Sequence, residues 1–406
     1  MNIKQLSQTI MQCCDLLAQC TETPPYLTRT FLSQPMQDVH AHVRSWMEQA
    51  GMKVRIDAVG NIIGRKVSEH KNAKVFMLGS HLDTVKHAGK YDGMLGVLLG
   101  IALAEACKDK TLPFHLEVIG FSEEEGVRFG VPFIGSKAIA GALDKSTLEL
   151  SDSSGITVSE AISNFGLNPE SIPQAAYRKD DVMGYLEVHI EQGPKLASLN
   201  QPLGIVSAIV GTTRVTLSFT GLAGHAGTSP MNLRKDALAG AAEFILAVES
   251  YAKSRPDLVA TVGRIEAKPG AGNVIAGNVE MSLDVRHIED SVRLQAVKDL
   301  KVNAKNICEK RGLELHWQEL MDQAAVPMSS HLIKLLEQAA GENIPLMSSG
   351  AGHDAMIMAS LTPSAMLFVR SPNGISHHPD EMVLVHDVEV ALDTILKFIA
   401  MNSDHL

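Results

Sequence analysis

The chain has 406 residues, 45% of them hydrophobic, which is more than one core usually fills and predicts two domains. Its formal net charge of -10 argues against nucleic acid or an anionic membrane as a partner. Five cysteines (Cys13, Cys14, Cys20, Cys107, Cys308) lack paired metal-site spacing, so reduced thiols in a cytoplasm are expected rather than a disulfide framework.

The opening MNIKQLSQTIMQCCDLL has helical periodicity and reads neither as a signal peptide nor as a membrane span. Helices are predicted over 5–19 and 36–50, a strand pair over 53–65 broken at Gly60-Asn61, a buried strand over 75–79, a helix over 94–107 and a buried strand over 116–122. A Ser-rich connection around 144–180 leads to a second strand-and-loop unit at Gly184–Pro194. From about 208 the pattern changes. Arg214–Thr220 alternates as an edge-type strand, 235–253 is an Ala-rich helix, 259–266 and 277–286 alternate, and 289–311 is a helix. That order predicts a compact antiparallel sheet with helices on one face, inserted into the first domain. The expected fold is α/β, with domain one spanning 1–207 and 326–406 and an inserted α+β domain over 208–325.

Chemistry gathers at the predicted strand ends. The loop GSHLDTVKHAGKYDG carries His81, Asp83 and Asp92 directly after the apolar run Val75–Leu78, a placement α/β enzymes use for metal ligands. FSEEEGVRFG sets Glu123, Glu124 and Glu125 at the next strand end, where a divalent cation would offset their mutual repulsion. A solvated acidic turn is the plain alternative. His189 lies in an alternating run where a neutral core histidine would be ordinary, but EQGP with Glu191 and Gln192 follows it. GISHHPDE places His377 and His378 in a loop, and adjacent side chains in extended backbone point different ways. At most one of the pair is then a ligand. Five N/O ligands without cysteine suit two borderline divalent ions such as Zn²⁺ or Mn²⁺ bridged by one carboxylate. Ions about 3.5–4 Å apart can activate water and polarise a carbonyl, which is hydrolytic chemistry.

Taken in order, GSHLDTV…YDG, EEEGVRF, EVHIEQGP, GHAGTSPM, AGNVIAG, DVRH, SGAGHDAM and GISHHPDE resemble the dinuclear-metal amidohydrolases of the M20 peptidase superfamily. More narrowly they resemble its branch of allantoate amidohydrolases, N-carbamoyl-L-amino acid hydrolases and β-ureidopropionases. The resemblance spans nearly the whole chain. It implies a zinc-peptidase-like catalytic domain with a mixed central sheet, and an inserted lid of four antiparallel strands and two helices that also forms a homodimer. It assigns His81, Asp92, Glu125, His189 and His377 as ligands, with Asp92 bridging and His377 preferred to His378. Glu124 is similar to the general base of the family, and Asp83 would orient His81 from behind. The histidine matching His225 would reach a partner subunit's site to stabilise an oxyanion. Asn273 and Arg286 would grip a substrate carboxylate and its polar neighbour. Gln192 and the Gly350-Ala351-Gly352 loop would line the substrate pocket, the loop through small residues and helix-start amide groups.

Two departures bear on the substrate. AIVGTTR has Thr212 and Thr213 where some allantoate-specific relatives carry extra polar grip, and Ala276 in AGNVIAG replaces a common proline. SGAGHDAM, MLFVR and GISHHP look more like allantoate hydrolases. Allantoate is therefore the expected small ureido-carboxylate substrate, with N-carbamoyl amino acids the alternative. An M20 exopeptidase and an inactive binding homologue are the remaining readings.

Overall fold

The computed structural model describes residues 2–341 and 343–404. It divides into two compact units, Met1–Ser207 with Met328–Leu406, and Ala208–Pro327.

The larger unit is built on a mixed sheet. Val75–His81 pairs in parallel with His115–Phe121 on one side and Val182–Ile190 on the other, and Ser364–Val369 is parallel to Val182–Ile190. Ile62–Lys66 then Lys53–Ile56 extend one side antiparallel, while Leu203–Ile209 runs antiparallel to Ser364–Val369 on the other. Val75–His81 is buried along its whole length, and His115–Phe121 and Val182–Ile190 along nearly all of theirs. Their near-continuous apolar runs are what parallel strands covered on both faces require. One cover is the helix Met94–Ala106, buried over its first eleven residues, so it shows no polar face. Around it pack Ile3–Leu17 and Val385–Asp404. Ile3–Leu17 is started by a capping box between Asn2 and Gln5.

In the smaller unit a sheet runs Ile265–Lys268, Asn278–His287, Gly211–Thr220, Glu314–Gln323 in antiparallel order. The stretch expected as one strand over 259–266 is broken at Val262-Gly263-Arg264, and its first segment, Val259–Thr261, also pairs with Asn278–His287. The helices Ala237–Lys253 and Asp290–Arg311 pack on this sheet and share its core. One sequence expectation fails here. The 214–220 strand is not an edge but lies between Asn278–His287 and Glu314–Gln323. Alternation reports that one face is covered and the other open, and an interior strand of a one-sided sheet alternates as an edge does.

All five cysteines are free thiols. No helix among the described residues is long and apolar enough to cross a membrane.

Candidate metal centre

Three strand ends and two loops of the larger unit bring the candidate ligands together. His81 ends its strand, Glu123–Gly126 follows the neighbouring strand, and His189 is the penultimate residue of the strand on the other side. Asp92 lies in the loop before the helix Met94–Ala106. Gly93 beside it adopts φ +73°, and a Cβ there would come within 2.6 Å of the His81 ring, so the YDG glycine lets this loop lie against the ligand.

Asp92 is the hub. Its Oδ1 lies 3.5 Å from His81 Nε2 and 3.1 Å from His189 Nε2, and its Oδ2 lies 3.2 Å from His377 Nε2. His377 Nε2 is in turn 3.7 Å from Glu125 Oε1. Ligand atoms of His81, Asp92 and His189 form one compact group, and those of Asp92, Glu125 and His377 form another. The two groups share only Asp92, one oxygen to each.

Ring protonation tests whether cations fit. His81 Nδ1 sits 2.9 Å from the Asp83 carbonyl oxygen and His189 Nδ1 sits 2.9 Å from that of Ile190. A carbonyl oxygen only accepts, so each Nδ1 carries a hydrogen, and in the neutral ring each Nε2 can present a lone pair to a cation. Those two Nε2 atoms are 3.4 Å apart. They converge on Asp92 Oδ1, a buried oxygen to which no donor is aligned for a hydrogen bond. Against the opposing effect of burial, Asp83 and Asp92 raise the His81 imidazole and Asp92 raises that of His189, so protons stand where a cation would. With those protons displaced, two imidazole nitrogens and a carboxylate oxygen are a donor set that fits a divalent ion.

The surrounding charge agrees. Asp83, Asp92, Glu123, Glu124, Glu187, Asp354 and Glu381 are all buried. Burial, and then repulsion from Asp92, pushes the Glu125 carboxyl up to about 7. Burial together with Glu125, Asp354 and Asp83 outweighs His81 and raises Glu124 well above the usual carboxylate range. Burial and the neighbouring Asp83 raise Glu123 likewise. The nearby buried Arg29 gives its guanidinium hydrogen bonds to the carbonyls of Leu17, Cys20 and Leu82 rather than to these carboxylates.

Asp83 divides its work differently from the sequence expectation. It is the Asp83 carbonyl that holds His81 most closely, the carboxylate standing 3.5 Å from the same Nδ1. The carboxylate accepts the backbone N–H groups of Glu124 (2.9 Å) and Glu125 (3.1 Å), tying the acidic turn to the His81 loop. Gln192 lies at the centre itself. Its Nε2 donates to Asp92 Oδ2 at 3.1 Å and stands 3.3 Å from His377 Nε2. Gln192 and His377 both hold positive φ, +58° and +55°. Non-glycine residues persist there only where their surroundings over-determine them, which is common at working sites. Glu191 is spent locally, accepting from Lys195 and Leu196. His378 is separate, its Nδ1 accepting from Asp380 N.

The Gly350–Gly352 loop turns about Ser349, whose hydroxyl donates to Ala351 O and stands 2.9 Å from His353 Nε2. The helix start that follows does not wait for a ligand anion. Its Ala355 N–H is given to Glu187 Oε2 at 2.7 Å, and Glu187 also accepts from Ser80. Glu187, His353 and Glu381 are members of this neighbourhood that the sequence reading passed over. For Glu381 the signal was present, an acid four residues after His377.

In the smaller unit, Gly224–His225 pairs with Val274–Ile275, and Ala226 N donates to Asn273 O. The GHAGTSP and AGNVIAG loops are thus zipped together, with His225 and Asn273 both exposed. His225 Nδ1 accepts from Gly227 N at 3.0 Å, which leaves the hydrogen on Nε2. Arg286 forks onto Asp284 at 2.6 and 3.0 Å. Thr213 Oγ1 bonds the buried Arg293, so this threonine serves the unit's own framework.

Residues 77–401 match the model of peptidase family M20/M25/M40. The chain is 40% identical over 419 residues to allantoate deiminase of Arabidopsis thaliana, covering 94% of this chain and 80% of the relative. It is also 40% identical over 384 residues to N-carbamoyl-L-amino-acid amidohydrolase of Pseudomonas sp. (strain NS671), covering 91% and 93%. Among solved structures, an amidase of the hydantoinase/carbamoylase family from Burkholderia multivorans superposes with a TM-score of 0.91 at 28% identity, covering 99% and 98%.

Proposed function

The chain belongs to peptidase family M20/M25/M40, and from that premise we propose that it hydrolyses allantoate. It is a metal-dependent amidohydrolase acting on a ureido-carboxylate. The observation that carries the reading is the convergence of the His81 and His189 Nε2 atoms, 3.4 Å apart, on the buried Asp92 carboxylate, whose other oxygen meets His377. Allantoate is favoured by the resemblance of SGAGHDAM, MLFVR and GISHHP. N-carbamoyl-L-amino acids are the second reading, favoured by the equal identity to the Pseudomonas amidohydrolase.

His81, His189 and Asp92 Oδ1 would hold one divalent ion, and Glu125, His377 and Asp92 Oδ2 the other, zinc or manganese in either place. Bound there, the ions would activate water and polarise the ureido carbonyl. Glu124 takes the proton of the attacking water and passes it to the leaving nitrogen. In total the ureido group R–NH–CO–NH₂ and one water give R–NH₂, carbon dioxide and ammonia. Gln192, Asn273, Arg286 and the Gly350–Gly352 loop are proposed to contact substrate. His225 is proposed to serve a partner copy in a homodimer, its Nε2–H stabilising the oxyanion. Exposed Leu222, Met231, Leu233 and Leu246 on the smaller unit support a homodimer. The free thiols support a cytoplasmic setting.

The test is ammonia release by the zinc- or manganese-loaded protein from allantoate, N-carbamoyl-L-amino acids and dipeptides. Allantoate should be turned over fastest. Faster release from N-carbamoyl-L-amino acids would transfer the assignment to them, and no turnover of either ureido class would refute both. Glu124→Gln should abolish turnover with both ions retained; full activity in that variant would remove the base assignment.

A further inference from the structure

Glu381 joins two loops that are almost three hundred residues apart in the chain. It is buried, and its Oε1 accepts the backbone N–H groups of Tyr91 (2.9 Å) and Asp92 (3.1 Å). Its Oε2 accepts the hydroxyl of Ser376 at 3.0 Å, immediately before His377. One carboxylate therefore grips the main chain of the bridging Asp92 and the segment that presents His377. Space for it is made by Gly89, where a Cβ would come within 2.2 Å of the Glu381 carboxyl carbon. Nothing comparable is needed by His81 and His189, which stand on paired strands with Nδ1 fixed by a carbonyl within two residues.

We propose that Glu381 is a positioning residue that holds the Asp92 and His377 loops in register, and so sets the affinity of the ion on Glu125, His377 and Asp92 Oδ2. The ion on His81 and His189 shares Asp92 but keeps two strand-borne ligands, so Glu381 bears on it less. The inference rests on the two-ion reading above. Its physical basis is that a ligand on an unanchored loop must be ordered when the ion binds, and the ordering weakens binding. Removing the carboxylate also leaves two N–H groups beside the centre without their acceptor.

The full chain, stripped of metal, is titrated with Mn²⁺ alone by calorimetry. In Glu381→Ala the weaker of two binding steps should fall about 10–100-fold in affinity, the usual cost of losing a residue that orients ligands, with the tighter step weakened several-fold less. Glu381→Gln keeps an oxygen for the two amides and should recover most of the loss. A purely structural role would weaken both steps equally and show no such recovery, and either result overturns the inference, as do two unchanged steps. Should Glu381→Ala fail to fold, Gly89→Ala displaces the carboxylate from the other side and must give the same selective weakening; unchanged binding there also overturns it. A wild-type protein that takes up no Mn²⁺ refutes the metal centre itself, and this inference falls with it. Two ions bound alike by wild type and variant refute this inference alone.

Discussion

His81 and His189 stand on neighbouring strands of the central sheet with side chains 2% and 1% exposed, whereas His377 sits on a loop with its side chain 49% exposed. In the first half of the candidate centre the sheet sets the separation of the candidate ligands, and a backbone carbonyl accepts from Nδ1 of each ring. In the second half the candidate ligands come from the acidic turn and a loop near the carboxyl end, and side-chain ties run through Ser376, Gln192 and Glu381. Secondary structure fixes geometry at no extra cost to binding, while cross-links between loops must be built residue by residue. The two halves should therefore differ in affinity and in tolerance to substitution.

The largest break comes from the strand-borne half. His81→Ala should lower kcat/KM at least about a thousandfold, the several kcal/mol that a metal centre supplies. Elemental analysis should find the tighter-bound ion missing, whereas His377→Ala should lose only the weaker one; equal loss in both variants would erase the distinction. Next in size, His225→Ala should lower kcat about 10²–10³-fold if its Nε2–H meets an oxyanion. Both ions should remain bound, and unchanged kinetics would remove the role. The smallest effect is on pH. In the metal-free protein the Glu125 carboxyl, pushed up to about 7 by burial and Asp92, holds a proton below that value. A cation must displace that proton and the one Asp92 helps His377 keep, so affinity of the loop-borne half should fall at least about tenfold per unit as pH drops below 7. The sign for folding is opposite. A raised carboxyl pKa stabilises the metal-free fold below the unfolded value near 4.5 and loses that contribution as pH rises through 7. Titrations of ion binding at pH 5.5, 6.5 and 7.5 check the first statement, and metal-free melting temperatures over the same range check the second.

The strand-borne half was legible in the sequence because each of its parts is local. An apolar run followed by His, Asp and Gly reads as a strand that ends in a site, and the acidic turn and EQGP read the same way. The alternation that placed Arg214–Thr220 at an edge was a true signal of one covered face, read as a statement about neighbours that periodicity does not make. What stayed hidden was contact between distant segments. Spacing could not say that the amide at the start of the 354–358 helix is spent on Glu187, or that the carbonyl of Asp83 holds His81 most closely while its carboxylate ties down the turn. Glu381 is the sharpest case. It stood inside a motif that was read for its histidines, and its partners lie at Tyr91 and Asp92.

The smaller unit begins and ends at one place. Ala208 is paired with Pro327 and Ile209 with Val326, so the chain departs and returns through two adjacent antiparallel segments. A cassette of that shape can be enlarged, exchanged or lost without re-threading the host domain, and every candidate ion ligand lies outside it. Descent can therefore vary the insert without disturbing the strands and loops that carry the candidate ligands.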